Sequence, residues 1–196
     1  MEHASRGIAA VAAQVAPPEK TVHVLCGPGN NGGDGYGAAR FLSGCGFDVQ
    51  AWRCAPREPA QGDAGVEFRL LSAELEVLDA FTAPQRLLEA LQGASGLVVD
   101  ALFGVGLTRP LEAPYAPWIE ALNAANVLRL AVDVPSGLDS DTGEALPLCV
   151  RAHVTATMAA PKLGLAANPA AAGHVVEIDI GLPSALHRPY LRESGT

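Results

Sequence analysis

The sequence predicts an α/β domain built on a mostly parallel sheet, from three observations. Short β-rich runs alternate along the chain with segments of helical spacing, the order that winds a parallel sheet between helices. Several of those runs are continuously apolar, which fits strands covered on both faces. The length, 196 residues, suits a single domain spanning 1–196.

The elements follow in order. MEHASRGIAAVAAQVAPPEK reads as an amphipathic helix ended by Pro17 and Pro18. It carries Glu2 at once and lacks a basic leader, so it does not read as a secretory signal. Thr21–Cys26 is a β-rich run that stops at a glycine-rich loop. Asp34–Ser43 has helical spacing and is ended by Gly44. Phe47–Trp52 alternates like a strand, and residues 53–65, with Pro56 and Pro59, read as a loop. Gly65–Glu74 looks helical, Leu75–Leu78 like a short strand, and Pro84–Leu91 like a helix with proline at its tolerated first position. Gly96–Ala101 is an apolar run closed by Asp100; Tyr115–Ala125 is helical; Val127–Val132 is a second buried-type strand, followed by Asp133. Val154–Met158 and His174–Ile180 complete the strands, and the tail after Pro183 is expected to fray.

Composition narrows the function. The formal net charge is −8, so no basic face is implied and neither nucleic acid nor an anionic membrane is an expected partner. No stretch reaches the 18 or so apolar residues of a spanning helix. Cys26, Cys45, Cys54 and Cys149 form no CxxC and lack zinc-ligand spacing, so they read as reduced, mostly buried thiols of a cytoplasmic protein.

In an open parallel sheet the ligand sits beyond the carboxyl ends of the strands. Three loops would share that edge. The first, Gly27–Gly35 (GPGNNGGDG), runs from a strand into a helix; its glycines allow positive φ and close backbone approach, and its N–H groups would suit an anion such as a diphosphate. It is neither G-x-G-x-x-G nor a P-loop. Asp34 there is either a carboxylate favoured by the helix dipole, which tends to lower its pKa, or an acid/base group. The second, Asp100–Pro110 (DALFGVGLTRP), puts a carboxylate close to the core, where it needs a cation or donors. Arg109 is either a phosphate contact or a solvated charge. The third, Asp133–Gly143 (DVPSGLDSDTG), places Ser136 in a turn without a nucleophile elbow, and Asp139–Gly143 reads as an Asx-type turn rather than a calcium loop.

GPGNNGGDG, VVDALFGVGL, DVPSGLDSDTGE and AAPKLGL, in this order and spacing, resemble the NAD(P)H-hydrate epimerase family, also known as the YjeF N-terminal domain. The start, MEHASRG, is similar to that family's Met-Glu-Asn-Ala-Gly-Arg stretch, and the likeness runs to about Pro183. His3, Ser5 and Leu163 depart from the family pattern, and family members usually carry another helix before this stretch. The resemblance implies a Rossmann-like three-layer αβα sandwich, a homodimer, and epimerisation at C6 of hydrated NADH and NADPH. It implies that the substrate meets Asn30, Asn31, Gly32, Gly33 and Asp34, then Gly104, Val105, Gly106, Leu107, Thr108, Arg109 and Pro110, and Asp133. It implies one potassium ion per subunit, held by groups matching Asn31, Asp100 and Ser136; oxygen ligands of that kind suit a hard cation.

The chemistry is consistent with these residue types. A C6 hydrate is a hemiaminal. Its inversion needs C–O cleavage and re-addition from the other face, or ring opening and reclosure. Either route calls for a proton donor and a base near C6, and Asp34 and Asp133 are the candidate catalytic pair. The alternative from another class is a non-catalytic dinucleotide-binding or scaffold module of the same fold; retention of both aspartates speaks against it. A nicotinamide-dependent redox enzyme would carry the dinucleotide fingerprint, which is missing although Asp48 and Trp52 lie near the ribose-acid distance. A small-molecule kinase lacks its lysine loop.

Overall fold

The computed structural model describes residues 1–183 apart from position 108; Thr108 and the expected frayed tail lie outside the described residues. Seven strands form one sheet in which every pairing is parallel: β1 (Val22–Cys26), β2 (Val49–Arg53), β3 (Val77–Asp79), β4 (Leu97–Ala101), β5 (Leu128–Val132), β6 (Val154–Met158) and β7 (His174–Ile178). Their spatial order is β3-β2-β1-β4-β5-β6-β7. The first six follow the order of a dinucleotide-binding sheet, in which direction of winding reverses between β1 and β4.

Helices cover both faces. On one lie α1 (Glu2–Val15), α2 (Asn30–Gly44) and α3 (Gly62–Ser72), packed on Val22, Val24, Cys26, Leu97 and Val99. On the other lie α4 (Pro84–Gly93) and α5 (Tyr115–Ala124), whose Leu87, Leu91, Trp118 and Ile119 pack on Leu25 and Val98. Side chains alternate across a strand, so Val98 serves one layer and Leu97 and Val99 the other. This is why the strand reads as continuously apolar: both faces are buried, at roughly 1.5–3 kcal/mol for each large aliphatic side chain. Two short helices, α6 (Leu163–Ala167) and α7 (Pro169–Ala172), precede β7.

The helix α1 buries Ala4, Ile8 and Ala12, one stripe at four-residue spacing, and stops where Ala16 turns extended ahead of Pro17. Its apolar face is therefore covered within the chain.

Several boundaries differ from the sequence-based expectation. Helix α2 starts at Asn30 rather than Asp34, so most of the supposed glycine loop is the first turn of the helix. None of its glycines takes positive φ. They serve close packing instead: a Cβ on Gly35 would lie 2.6 Å from the Ala101 Cβ, and one on Gly37 would lie 2.2 Å from the Ser5 Oγ. Glycine is a poor helix former, and tertiary contact overrides that preference. Helix α3 likewise begins at Gly62, inside the expected loop, and β3 is displaced to Val77–Asp79. The alanine-rich stretch near 166–172 is helical, which local pattern did not reveal.

Candidate active site

A cavity of about 430 Å³ opens at the carboxyl ends of β1, β4 and β5, on the switch point between β1 and β4. Its wall includes Asn30, Asn31 and Asp34 from α2, residues 102–107 after β4, Asp133 after β5 and Met158 at the end of β6. Of the residues singled out in the sequence, Asn30, Asn31, Asp34, Gly104, Val105, Gly106, Leu107 and Asp133 thus share one space.

The others stand around it. Gly32 and Gly33 do not line the cavity; a Cβ on Gly32 would meet the Gly27 carbonyl at 2.0 Å, and one on Gly33 would meet Ala64 at 2.7 Å. Arg109 and Pro110 line a neighbouring hollow of about 240 Å³ with Phe103, Leu107 and Tyr115. Thr108 lies outside the described residues. Asp100 and Ser136 are fully buried.

Asp34 sits in the second turn of α2, 8% exposed, and its carboxylate forms no hydrogen bond with the protein among the described residues. Burial pushes its carboxyl up to about 7; the amino group of Met1 opposes this, and Asp133, Glu67 and Asp63 reinforce it. Desolvation outweighs the helix-dipole effect that sequence position suggests.

Asp133 follows β5 with φ of +68°, a conformation that aspartate tolerates better than most residues. Its N–H donates to the Ala156 carbonyl at 2.8 Å, which ties the turn to β6. Its Oδ1 accepts from the Lys162 ammonium, from the Thr157 hydroxyl at 3.3 Å and from the Met158 N–H at 3.3 Å. Its Oδ2 lies beside Gly104: a Cβ at 104 would stand 3.5 Å from that oxygen and 3.1 Å from the Asn31 Oδ1. Glycine at 104 leaves that space open between the two side chains.

Asp100 stands one residue before the end of β4, fully buried. Its Oδ1 accepts from the Ser136 hydroxyl at 2.6 Å and the Leu102 N–H at 3.2 Å, and its Oδ2 accepts from the Ser136 N–H at 2.8 Å. Burial raises its pKa to about 6 against these hydrogen bonds. The Ser136 hydroxyl oxygen also accepts from the Phe103 N–H at 2.9 Å, so the second and third loops are cross-linked. Beyond Ser136, Asp139 folds an Asx turn as expected, its Oδ1 accepting from the Asp141 and Thr142 N–H groups at 3.0 and 2.8 Å.

Sequence reasoning missed Lys162 and Thr157. The AAPKLGL segment was visible, but no local signal joined Lys162 to a carboxylate 29 positions earlier. Among the described residues no helix is long and apolar enough to cross a membrane.

The chain is similar to known proteins in sequence and in fold. Residues 1–164 match the family described as YjeF-related protein N-terminus. The chain is 40% identical over 195 residues to the NAD(P)H-hydrate epimerase of Rhodopirellula baltica, covering 97% of this chain and 78% of that protein. It is 36% identical to the NAD(P)H-hydrate epimerase of Pirellula staleyi, covering 95% of this chain and 83% of that one. It is 41% identical to the bifunctional NAD(P)H-hydrate repair enzyme of Hyperthermus butylicus, covering 93% of this chain but 34% of that longer protein. The crystal structure of the yeast protein ynu0 superposes with a TM-score of 0.72 at 27% identity, over 84% of this chain and 72% of that one.

Proposed function

The chain belongs to the family of YjeF-related protein N-termini, and on that premise we propose that it is an isomerase that interconverts the R and S forms of hydrated NADH and NADPH at C6. The observation that carries this reading is the convergence of Asp34 and Asp133, from α2 and the end of β5, on one cavity at the sheet's switch point. One of the two, Asp34, titrates near neutrality, where a proton donor works best. The names of the relatives from Rhodopirellula and Pirellula support the same substrate.

In this proposal the nicotinamide ring reaches Asp34 and Asp133, with Asn30, Asn31 and residues 104–107 along its path. The N–H groups at the start of α2, which no side chain caps among the described residues, suit the substrate's diphosphate. Gly32, Gly33, Thr108, Arg109 and Pro110 belong to the same expected substrate contacts, Arg109 and Pro110 through the neighbouring hollow. The non-catalytic alternative is not favoured, because a binding module has no need of a near-neutral carboxyl facing a second carboxylate.

A potassium ion is part of the proposal, and the residues fit it. Asp100 is a fully buried carboxylate with no cationic partner among the described residues. The Asn31 side-chain amide has a buried nitrogen with no partner among the described residues, and amide orientation is interchangeable, so its oxygen can face the same space. Asn31, Asp100 and Ser136 would hold the ion through oxygen. When bound, it would brace the loops and offset ligand charge.

The buried thiols of Cys26, Cys54 and Cys149 fit a reducing, cytoplasmic setting. A homodimer is proposed from the family likeness alone, since the apolar face of α1 packs within the chain; light scattering at micromolar concentration should give twice the monomer mass.

The test is the interconversion of purified R-hydrated NADPH, followed by chiral-resolving chromatography with and without potassium. Approach to the R/S equilibrium faster than the spontaneous rate supports the reading. A folded protein that binds the hydrate without accelerating it refutes it.

A further inference from the structure

We propose that Lys162 is the positioning residue that divides the labour of the two cleft carboxylates, holding the charge on Asp133 and leaving the proton on Asp34. This deepens the epimerase reading and rests on it.

Lys162 follows β6 and reaches back over the mouth of β5. Its ammonium has three hydrogens, and three acceptors surround it: the Asp133 Oδ1, the Thr157 Oγ1 at 3.0 Å and the Met158 carbonyl at 2.8 Å. No donor remains for a ligand, so Lys162 acts through Asp133 rather than on substrate. The Thr157 hydroxyl accepts from Lys162 and donates to the same Oδ1, which closes a ring of hydrogen bonds around one carboxylate oxygen. The other oxygen, Oδ2, has no hydrogen-bond partner among the described residues and lies beside Gly104 at the cavity wall. One oxygen is thus anchored, and the other is offered to the cleft.

Asp34 has the opposite surroundings. It faces Asp133 across the cleft and Glu67 and Asp63 from α3, with the Met1 amino group as the opposing charge. Glu67 is already paired with Arg40 at 3.0 Å. Two carboxylates in one cleft disfavour double ionisation, and the one with a cation beside it takes the charge.

The division assigns each proton. By the C–O cleavage route, Asp34 gives its proton to the C6 hydroxyl, which leaves as water while the ring-nitrogen lone pair forms a C=N bond. Water then adds to C6 from the other face, its proton passes to the Asp133 Oδ2, and the C=N electron pair returns to nitrogen. The other epimer runs the same steps backwards, from the opposite protonation state. By the ring-opening route, the Asp133 Oδ2 takes the hydroxyl proton as the C6–N bond breaks, and Asp34 protonates the nitrogen.

The experiment is a carboxyl-carbon NMR titration of Asp34 in the wild-type chain, Lys162→Met and Lys162→Arg, beside pH–rate profiles of hydrate interconversion. Removing the cation leaves Asp133 unneutralised, so the Asp34 midpoint in Lys162→Met should rise by about one pH unit or more. The pH–rate bell should move up with it, and Lys162→Arg should restore both positions even at reduced rate. An Asp34 midpoint and bell that stay in place while the rate falls would make Lys162 merely structural and overturn the proposal. Should Lys162→Met fail to fold, Asp133→Asn reads the same coupling with opposite sign: the Asp34 midpoint should fall, and an unmoved midpoint refutes the division. The NMR arm stands without turnover, so a wild type that fails to interconvert the hydrates counts against the epimerase reading alone.

Discussion

Replacing Asp34 by asparagine should stabilise the protein at neutral pH while removing activity. The Asp34 carboxyl is raised from 3.8 to about 7 by burial, so holding it ionised in the folded chain costs about 4 kcal/mol relative to the unfolded one. A raised folded-state pKa means that the folded form binds the proton more tightly. The native chain is therefore unpenalised below about pH 4, loses stability as pH rises from 4 towards 7, and stays at the lower level above that. Asparagine has nearly the same shape and no charge to desolvate, and no protein hydrogen bond of Asp34 is lost among the described residues. The stability difference in favour of Asp34→Asn should thus grow from near zero at pH 4 to about 4 kcal/mol at pH 8. For a chain of this length that corresponds to roughly 8–16 °C in melting temperature. Urea unfolding of both proteins at pH 4 to 8, with the midpoint read by circular dichroism, measures it. Parallel stability curves, or a variant less stable at pH 8, would refute the argument that Asp34 is held at a desolvation cost. A gain in stability bought by loss of function is the usual signature of an active-site residue.

Asp133→Asn should lower hydrate interconversion by about 10²–10⁴-fold, the usual contribution of a positioned proton-transfer group. Asparagine tolerates the left-handed backbone at this position, so the circular dichroism spectrum should be unchanged; near-wild-type turnover would remove Asp133 from the mechanism. Asp100→Ala strips acceptors from the Ser136 and Leu102 N–H groups and should destabilise the fold by about 1–3 kcal/mol for each buried donor left unpaired. The same variant should melt at one temperature with or without potassium, whereas the wild type should gain stability with the ion; a wild type indifferent to potassium would end the cation proposal. Gly27→Ala would place a Cβ 1.8 Å from the Leu102 carbonyl oxygen, backbone against backbone, and should cost about 3 kcal/mol or more in chemical unfolding.

The fold was legible where local pattern and long-range packing agree. Runs such as LVV at 97–99 can be apolar throughout only if both faces of the strand are covered, and helices α1 to α5 cover them. Once the sheet is parallel, the loops opening at Gly27, Asp100 and Asp133 fall on one edge. The place of the cleft was therefore implicit in the alternation of elements. Legibility failed where contact outvoted propensity. The run NNGG at 30–33 reads as a loop because glycine disfavours helix, yet the helix starts at Asn30, since Gly32 and Gly33 let its first turn lie against Gly27 and Ala64.

By itself, the sequence determined the layered architecture and which aspartates lie at the strand ends, because both follow from periodicity and order along the chain. Only the tertiary structure decided their chemical states. Burial, with the facing Asp133 and the α3 carboxylates adding to it, raises Asp34, and a lysine 29 residues downstream ties one oxygen of Asp133. Charge, desolvation and hydrogen bonding depend on which side chains meet in space, and these meetings join segments that no local spacing connects.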